Sequence, residues 1–189
     1  TDPDVIWRSH VLDCAATLPL VRSAPTLLDL GSGGGLPGVV WAACLPKSAV
    51  VLCDSVRKKT LALERMAQAL GLANVRVVLD RSEDLALRER GSFSGVGTRA
   101  VAALGVVAEY AAPLVAPGGF ALAMKGPAWR DEAAEVGPRW GRLGLGAPEI
   151  WTYDLGEGLR TVVRWWRTGA PPAFLPRRPG MAEKQPWWR

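Results

Sequence analysis

Residues 28–38 read Leu-Asp-Leu-Gly-Ser-Gly-Gly-Gly-Leu-Pro-Gly, and this stretch decides the fold. An apolar run over Thr26–Leu30 leads into it, and a second apolar run over Leu36–Leu45 follows. This order predicts a buried strand, a turn without side chains, and a helix whose start is preset by Pro37. Glycine permits positive φ and close approach of a ligand, and the helix start offers unpaired N–H groups. Such a turn is typical of sites for adenosine-containing cofactors.

Length and composition restrict the class of protein. The chain has 189 residues, of which 49% are apolar, enough for one substantial core. No uncharged apolar run reaches the ~18 residues of a membrane span, and no signal-peptide pattern is present, so we expect a cytoplasmic protein without a membrane partner. The three cysteines lie in apolar segments without Cys-x-x-Cys spacing and are expected to be reduced core thiols. With a single histidine in the chain, a metal site has no support.

The net charge of +5 is concentrated at one end of the chain. Residues 168–189 contain four basic side chains, one acidic side chain and five prolines, which predicts an extended basic tail. The tail offers Arg177, Arg178 and Lys184 to phosphates, and Trp187-Trp188 to unpaired bases. A terminal strap whose tryptophans pack on the body explains the same residues equally well. We therefore divide the chain into an N-terminal helix (1–22), a central domain (23–167) and this tail (168–189).

Seven strand-like runs follow one another along the chain: Thr26–Leu30, Ala49–Cys53, Val75–Leu79, Gly95–Thr98, Phe120–Lys125, Ile150–Asp154 and Thr161–Trp166. Helical patterns alternate with them: Leu36–Leu45, Val56–Leu70, Glu83–Arg88, Val101–Val115 and Pro127–Leu143. An N-terminal helix is predicted from Asp2-Pro3 to about Val21. Alternation of this kind predicts an α/β fold with a mostly parallel sheet and helices on both faces.

The last two strands identify the type of α/β fold. Only Leu155–Arg160 joins them, and a parallel crossover needs about a dozen residues, so they must form an antiparallel hairpin. A nicotinamide-binding domain has six parallel strands. A seven-stranded sheet with an antiparallel last strand is similar to the class I fold of methyltransferases that depend on S-adenosylmethionine (AdoMet). The hairpin therefore argues against an oxidoreductase.

Ligands of open α/β sheets bind at the carboxyl ends of the strands. Asp29 and the glycine turn end the first strand, and Asp54 ends the second, 23 residues after Gly31. A carboxylate at this place can accept two hydrogen bonds from a ribose diol; the alternative is that Asp54 caps the next helix. Ser82 and Glu83 follow the third strand, where an adenine ring would lie, although Ser82 is also suited to capping a helix.

Two cations end the next strands at the same edge. Arg99 follows the fourth strand and Lys125 ends the fifth. A buried cation without a partner is costly, so each is expected to meet a carbonyl or a carboxylate such as Asp29, Glu83 or another internal one. His10, alone on its helix, is expected to be a surface residue.

With these pieces placed, the chain resembles one known family over about Trp7 to Lys125 and again in the tail. The segments that carry the resemblance are Arg8–Cys14, Asp29–Gly38, Asp54-Ser55 with Arg57-Lys58-Lys59, Thr98–Ala102, Ala123–Gly126 and Pro176–Gly180. The Leu-Pro-Gly ending of the glycine turn, joined to Thr-Arg-Ala-Val-Ala and Lys-Gly, is similar to the RsmG/GidB family. Its members are bacterial methyltransferases that modify guanine N7 in small-subunit (16S) ribosomal RNA.

The resemblance implies a cofactor, a partner and a set of contacts. AdoMet would be the cofactor, and 16S ribosomal RNA or a precursor of the small ribosomal subunit the partner of a monomeric enzyme. The resemblance and the glycine turn together imply these candidate AdoMet contacts: Asp29, Gly31, Gly33, Gly35, Leu36, Asp54, Ser82, Glu83 and Arg99. The candidate RNA contacts are Lys125, Arg99, Arg177, Arg178 and Lys184. Guanine N7 has a lone pair and no proton, so no residue is needed as a general acid or base.

The sequence departs from the family pattern at two places. Ser94-Gly95 stands where members have an aspartate after the residue equivalent to Phe93, and a helical segment with an Asn-Leu-Thr pattern that precedes His10 in members is expected to be missing. If that aspartate pairs with Arg99 in members, the geometry of Arg99 differs here. Two rival functions stay open: a methyltransferase of a small metabolite, and a non-catalytic RNA-binding factor for ribosome assembly.

Overall fold

The computed structural model describes residues 2–156 and 158–189, which form one seven-stranded sheet in the order β3-β2-β1-β4-β5-β7-β6. The strands are β1 Thr26–Leu30, β2 Ala49–Asp54, β3 Val75–Leu79, β4 Phe93–Arg99, β5 Val115–Lys125, β6 Glu149–Asp154 and β7 Leu159–Trp166. Strands β1 to β5 are parallel, whereas β7 runs antiparallel to both β5 and β6. The predicted hairpin and the class I methyltransferase topology are confirmed.

The helices of the described residues are short except for α5. They are α1 Pro3–Ile6, α2 Asp13–Ala15, α3 Leu18–Val21, α4 Gly38–Cys44, α5 Arg57–Ala69, α6 Ser82–Arg88, α7 Leu104–Ala111, α8 Trp129–Val136 and α9 Met181–Lys184. A π-helical segment, Trp7–Leu12, joins α1 to α2, and a 3₁₀ turn, Arg139–Leu143, follows α8. None of the helices in the described part of the chain has the length and apolar character needed to cross a membrane.

Two apolar cores cover the two faces of the sheet. On one face Leu28 and Val96 lie under α6, α7 and α8, and Trp188 of the tail completes this core. On the other face Leu27 packs with Trp41 of α4 and with the N-terminal helical segment. The prediction of helices on both faces is confirmed. Because the end of the tail packs into the first core, its two tryptophans agree with the strap alternative.

The N-terminal helix begins where the sequence predicts, because the Asp2 side chain accepts a hydrogen bond from Asp4 N at 2.9 Å. The prediction of one helix to about Val21 is wrong, since a turn follows Ala15. The Thr17 hydroxyl donates to Cys14 O at 2.6 Å, and Pro19 has no N–H with which to continue the helical ladder.

Two further predictions need correction. Cys44 is exposed at the end of α4, whereas Cys14 and Cys53 are buried as expected. The tail is not extended throughout, because Met181–Lys184 forms the short helix α9.

Candidate active site

Two cavities open at the carboxyl ends of the parallel strands. The first, the β2–β3 cavity, has a volume of about 170 Å³ and is lined by Leu30, Gly31, Cys53, Asp54, Ser55, Asp80, Arg81, Ser82, Glu83, Val101, Tyr110 and Glu183. The second, the β4–β5 cavity, has a volume of about 190 Å³ and is lined by Asp13, Arg99, Ala100, Met124, Lys125, Gly126, Tyr153, Arg160 and Thr161. The strand order reverses between β1 and β4, so the cavities lie at the place where α/β sheets bind ligands.

The glycine turn brings main chain to the β2–β3 cavity. Gly31 has φ +76°, and its N–H donates to Cys53 O at 2.8 Å. A Cβ at Gly31 would lie 2.7 Å from Val101 Cγ2, so only glycine fits between β1 and the loop after β4. A Cβ at Gly34 would meet nothing within 4 Å, which leaves this side of the turn open to a ligand.

Asp29 supports the turn from beneath. Its side chain is fully buried, and Oδ2 accepts a hydrogen bond from Gly38 N at 2.9 Å. Burial raises the pKa of Asp29 to about 7, and Oδ1 has no hydrogen-bond partner among the described residues. Asp29 lines neither cavity, so its prediction as a cofactor contact is corrected to a supporting role.

Asp54 both organises the turn and faces the cavity. Oδ2 accepts from Gly33 N at 2.9 Å, and Oδ1 accepts from Val56 N at 2.9 Å, ahead of α5. Lys59 Nζ lies 3.6 Å from Oδ2. A carboxylate has about four acceptor positions, so two remain for a diol. The N-cap of α5 is Val56 and it has no side-chain cap, so the capping alternative for Asp54 is not supported, whereas contact with a ribose diol stays a prediction.

Two further residues of the predicted turn, Gly35 and Leu36, face the core on the α4 side, whereas Gly33 donates its N–H to Asp54. A Cβ at Gly35 would meet Val39 and Leu63, and the Leu36 side chain packs against the core on the α4 face. For Gly33, Gly35 and Leu36, contact with a cofactor through main-chain groups stays a prediction.

Glu83 joins the cavity to the tail. Oε2 accepts from the Ser82 hydroxyl at 2.8 Å, and Oε1 accepts from Gly180 N at 3.0 Å. Ser82 is the first residue of α6 and forms no cap. Tyr110 and Glu183 complete the wall, and burial raises the pKa of Tyr110 to about 12. No sequence pattern indicates these two residues, because α7 and the tail are distant from the glycine turn along the chain.

Arg99 points into the β4–β5 cavity and pairs with the N-terminal segment. Its Nη2 lies 3.4 Å from Asp13 Oδ2 and 2.9 Å from His10 Nδ1, and it donates to Ser9 O at 3.2 Å. The expectation of a carboxylate partner is confirmed, but the partner is Asp13 rather than Asp29 or Glu83. His10 is exposed, as predicted, and its ring also contacts Arg99.

The departure at Ser94 leaves this pairing intact. Ser94 lies at the opposite end of β4, where its N–H donates to Thr26 Oγ1 at 2.9 Å. Arg99 is the last residue of the same strand. An aspartate at position 94 would therefore lie too far away to pair with Arg99.

Lys125 occupies the other wall of the β4–β5 cavity. Its Nζ lies 2.8 Å from Glu132 Oε2 and donates to Ala102 O at 3.0 Å. The predicted carboxylate and carbonyl partners are both present. Between the cavities runs the loop Arg99–Val101, in which Ala100 has φ +54°. A non-glycine residue in this region is uncommon and is often found at functional sites.

The tail residues differ in exposure. Arg177 is paired with the buried Glu109 of α7 through bonds of 2.7 and 2.6 Å, which corrects its prediction as a phosphate contact. Trp187 Nε1 donates to Gly105 O at 2.8 Å, and Trp188 is buried, so this pair is not available for stacking on bases. Arg178 and Lys184 are exposed and stay candidates for RNA contact.

Comparison with known proteins links this chain to one family. The model of the family GidB, rRNA small subunit methyltransferase G, matches residues 1–144. The chain is similar to ribosomal RNA small subunit methyltransferase G of Moorella thermoacetica, with 32% identity over 98% of this chain and 80% of the relative. The protein of the same name from Nocardioides sp. is 37% identical over 95% of this chain and 74% of the relative.

Among solved structures, the fold is similar to that of an RNA methyltransferase from Salinibacter ruber in complex with S-adenosyl-L-homocysteine. The TM-score is 0.59 with 19% identity, and the match covers 85% of this chain and 93% of the other. At this identity the likeness concerns the fold alone, and it agrees with the strand order described above.

Proposed function

The chain belongs to the GidB family, rRNA small subunit methyltransferase G, and from this premise we propose that it transfers the methyl group of AdoMet to N7 of a guanine in 16S ribosomal RNA. Membership makes it an AdoMet-dependent methyltransferase of ribosomal RNA; the guanine N7 target is the finer proposal. The observation that supports it best is the pair of cavities separated only by the loop Arg99–Val101.

The residues of the β2–β3 cavity fit the nucleoside part of AdoMet. Gly31 lines the cavity with main chain alone, and Asp54 retains acceptor positions for the ribose hydroxyls. Apolar surface from Leu30, Val101 and Tyr110 lines the same cavity and suits an adenine ring. When bound, AdoMet supplies a sulfonium methyl group that a nucleophile can displace.

The β4–β5 cavity suits the guanine. Arg99 and Lys125 can donate to guanine O6 or to a flanking phosphate, while N7 has to stay free for the attack. Because N7 has no proton to lose, the protein acts by positioning the base and by electrostatics. The groups in this cavity agree with that role, since both cations are already held by carboxylates and their positive charge is fixed in place.

We infer that the substrate is 16S ribosomal RNA, free or within an assembling small subunit, and that the enzyme acts as a cytoplasmic monomer. The exposed Arg178 and Lys184 of the tail are proposed as phosphate contacts outside the cavities. The three-part division into residues 1–22, 23–167 and 168–189 is kept as a description of the chain.

The test is methylation of small ribosomal subunits from a strain that lacks this activity. We expect the protein and labelled AdoMet to produce 7-methylguanosine at a single site, found by nuclease digestion and mass mapping. Methylation of small molecules in an RNA-free extract would favour the metabolite enzyme instead. Absence of S-adenosyl-L-homocysteine binding in a calorimeter would favour the non-catalytic assembly factor.

A further inference from the structure

Tyr153 crosses from the edge of the sheet to the N-terminal helical segment. It lies on β6, the last strand of the sheet, and its hydroxyl donates to Asp13 Oδ1 at 2.8 Å. The same hydroxyl lies 3.1 Å from Asp13 O. These contacts join two parts of the chain that are 140 residues apart, and both residues line the β4–β5 cavity.

The second oxygen of Asp13 faces Arg99, so one carboxylate holds two groups. Asp13 is only 5% exposed, and its Oδ2 lies 3.4 Å from Arg99 Nη2. The phenol hydroxyl and the guanidinium therefore contact different oxygens of the same carboxylate and fix its orientation from two sides. Burial and the bond to Asp13 raise the pKa of Tyr153 far above its ordinary value, so its hydroxyl remains a donor at neutral pH.

We propose that Tyr153 is a positioning residue, which through Asp13 fixes the guanidinium of Arg99 against the β4–β5 cavity for recognition of the target guanine. This inference rests on the proposed function. Arg99 has a long side chain at the end of β4, so its guanidinium depends on partners to fix its direction. One partner is the Asp13 carboxylate, which the Tyr153 hydroxyl of β6 orients by a hydrogen bond. Without that bond the carboxylate keeps only its contact with Arg99, and the guanidinium, held otherwise by Ser9 O and His10 Nδ1, is less closely fixed in direction.

The test uses Tyr153→Phe, which removes the hydroxyl and keeps the ring. We expect kcat/KM for small ribosomal subunits to fall about tenfold, the loss typical of one hydrogen bond to a charged group. The affinity for S-adenosyl-L-homocysteine is expected to stay unchanged, and the Tm to fall by only a few degrees, because one hydrogen bond to a buried carboxylate is lost. In an Arg99→Lys background the same substitution should cause no further loss, because both act through one guanidinium.

The matched control is Trp151→Phe, since Trp151 lies on the same strand with its ring 6.2 Å from that of Tyr153. It perturbs the packing of β6 without removing the hydroxyl and should leave kcat/KM within about twofold. Equal losses from Tyr153→Phe in both backgrounds, or no loss at all, would overturn the inference.

A second readout does not depend on activity. In ¹⁵N relaxation measurements on the cofactor-free protein, the Nε–H of Arg99, assigned by its disappearance in Arg99→Lys, should be rigid in the parent chain. It should become mobile in Tyr153→Phe. An equally rigid signal in both proteins would refute the positioning role, whereas a parent chain that methylates no ribosomal RNA would refute the proposed function alone.

Discussion

Asp29 is unusual among the carboxylates of this chain because it is buried with one oxygen bonded to Gly38 N and the other without a partner among the described residues. Burial raises its pKa from 3.8 to about 7, so between these two pH values the folded chain holds a proton there that the unfolded chain has released. Proton binding of this kind stabilises the fold at low pH, and the contribution is lost as the pH rises from about 4 to about 7.

We therefore expect Asp29→Asn, which carries no titrating group, to change the pH dependence of stability. Between pH 5 and pH 8 the parent chain should lose roughly 3 kcal/mol of unfolding free energy relative to the variant, at about 1.4 kcal/mol for each pKa unit. Urea unfolding at both pH values measures this difference, and the other titrating groups cancel because both proteins share them. Parallel pH profiles would mean that Asp29 is already ionised at pH 5.

Lys125 is the residue at which cofactor binding and RNA recognition should separate. It lines the β4–β5 cavity and not the β2–β3 cavity. Lys125→Ala should reduce methylation of small subunits about 10- to 100-fold, the equivalent of one charge-assisted hydrogen bond. Calorimetry with S-adenosyl-L-homocysteine should give an unchanged affinity, and a lost affinity would reject the assignment.

The control for Lys125 is its partner. Glu132→Gln removes the carboxylate that lies 2.8 Å from Lys125 Nζ but keeps the ammonium in the cavity. This variant should retain most of the activity, since Ala102 O still accepts a hydrogen bond from the ammonium. A loss as large as that of Lys125→Ala would assign the effect to the ion pair instead of to contact with RNA.

At the scale of elements, the features that local pattern determines were predictable. Apolar runs of strand length gave the seven strands, and the short connection before β7 gave the hairpin, because loop length excludes a crossover. The start of α7 was missed: it begins at Leu104 instead of Val101, after the bend at Ala100. No glycine or proline marks that bend, so its positive φ depends on the surrounding fold.

Long-range pairs account for the rest of what sequence reasoning missed. Nothing in the spacing of Asp13 and Arg99 indicates that they meet, because the two residues are far apart along the chain and only the packing of the N-terminal segment brings them together. The tail shows the same limit. Its prolines and charges left an RNA-contacting segment and a strap packed on the body equally open, and only the fold shows that the two tryptophans pack on a surface of α7 that includes Gly105.

The tail offers a direct test of strap against RNA contact, because two neighbouring arginines differ only in their surroundings. Arg177 is paired with Glu109, which is 4% exposed, whereas Arg178 is exposed. Arg177→Ala leaves a buried carboxylate unpaired and should lower the unfolding free energy by about 3 kcal/mol. Arg178→Ala should change stability by less than about 0.5 kcal/mol.

RNA binding should show the opposite order. Arg178→Ala is expected to reduce the slope of log affinity against log salt concentration by about 1, as for one lost phosphate contact, while Arg177→Ala should leave the slope unchanged. Denaturant unfolding and filter binding over a salt series measure the two effects. Equal slopes for all three proteins would confine the tail to its structural role.

At the scale of the whole molecule, the parallel strands give the protein two different sides, one at their carboxyl ends and one at their amino ends. We call the side at the carboxyl ends the cavity edge and the other the opposite edge. Both cavities open at the carboxyl ends of the strands, and Arg57 and Lys58 follow β2 at that edge. Arg22 and Lys47 precede β1 and β2 and so lie at the opposite edge. All four side chains are exposed, which makes the two pairs equal in charge and different only in place.

If the RNA approaches the cavity edge, the same change of charge should have unequal effects at the two edges. The pair Arg57→Glu and Lys58→Glu should weaken binding of ribosomal RNA by tenfold or more at moderate salt and reduce the salt slope by about 2. The pair Arg22→Glu and Lys47→Glu lowers the net charge by the same amount and should cost less than about threefold, because only the long-range field changes. Filter binding with both double variants measures the contrast. Equal losses would show that overall charge, and not the cavity edge, governs how this chain meets its RNA.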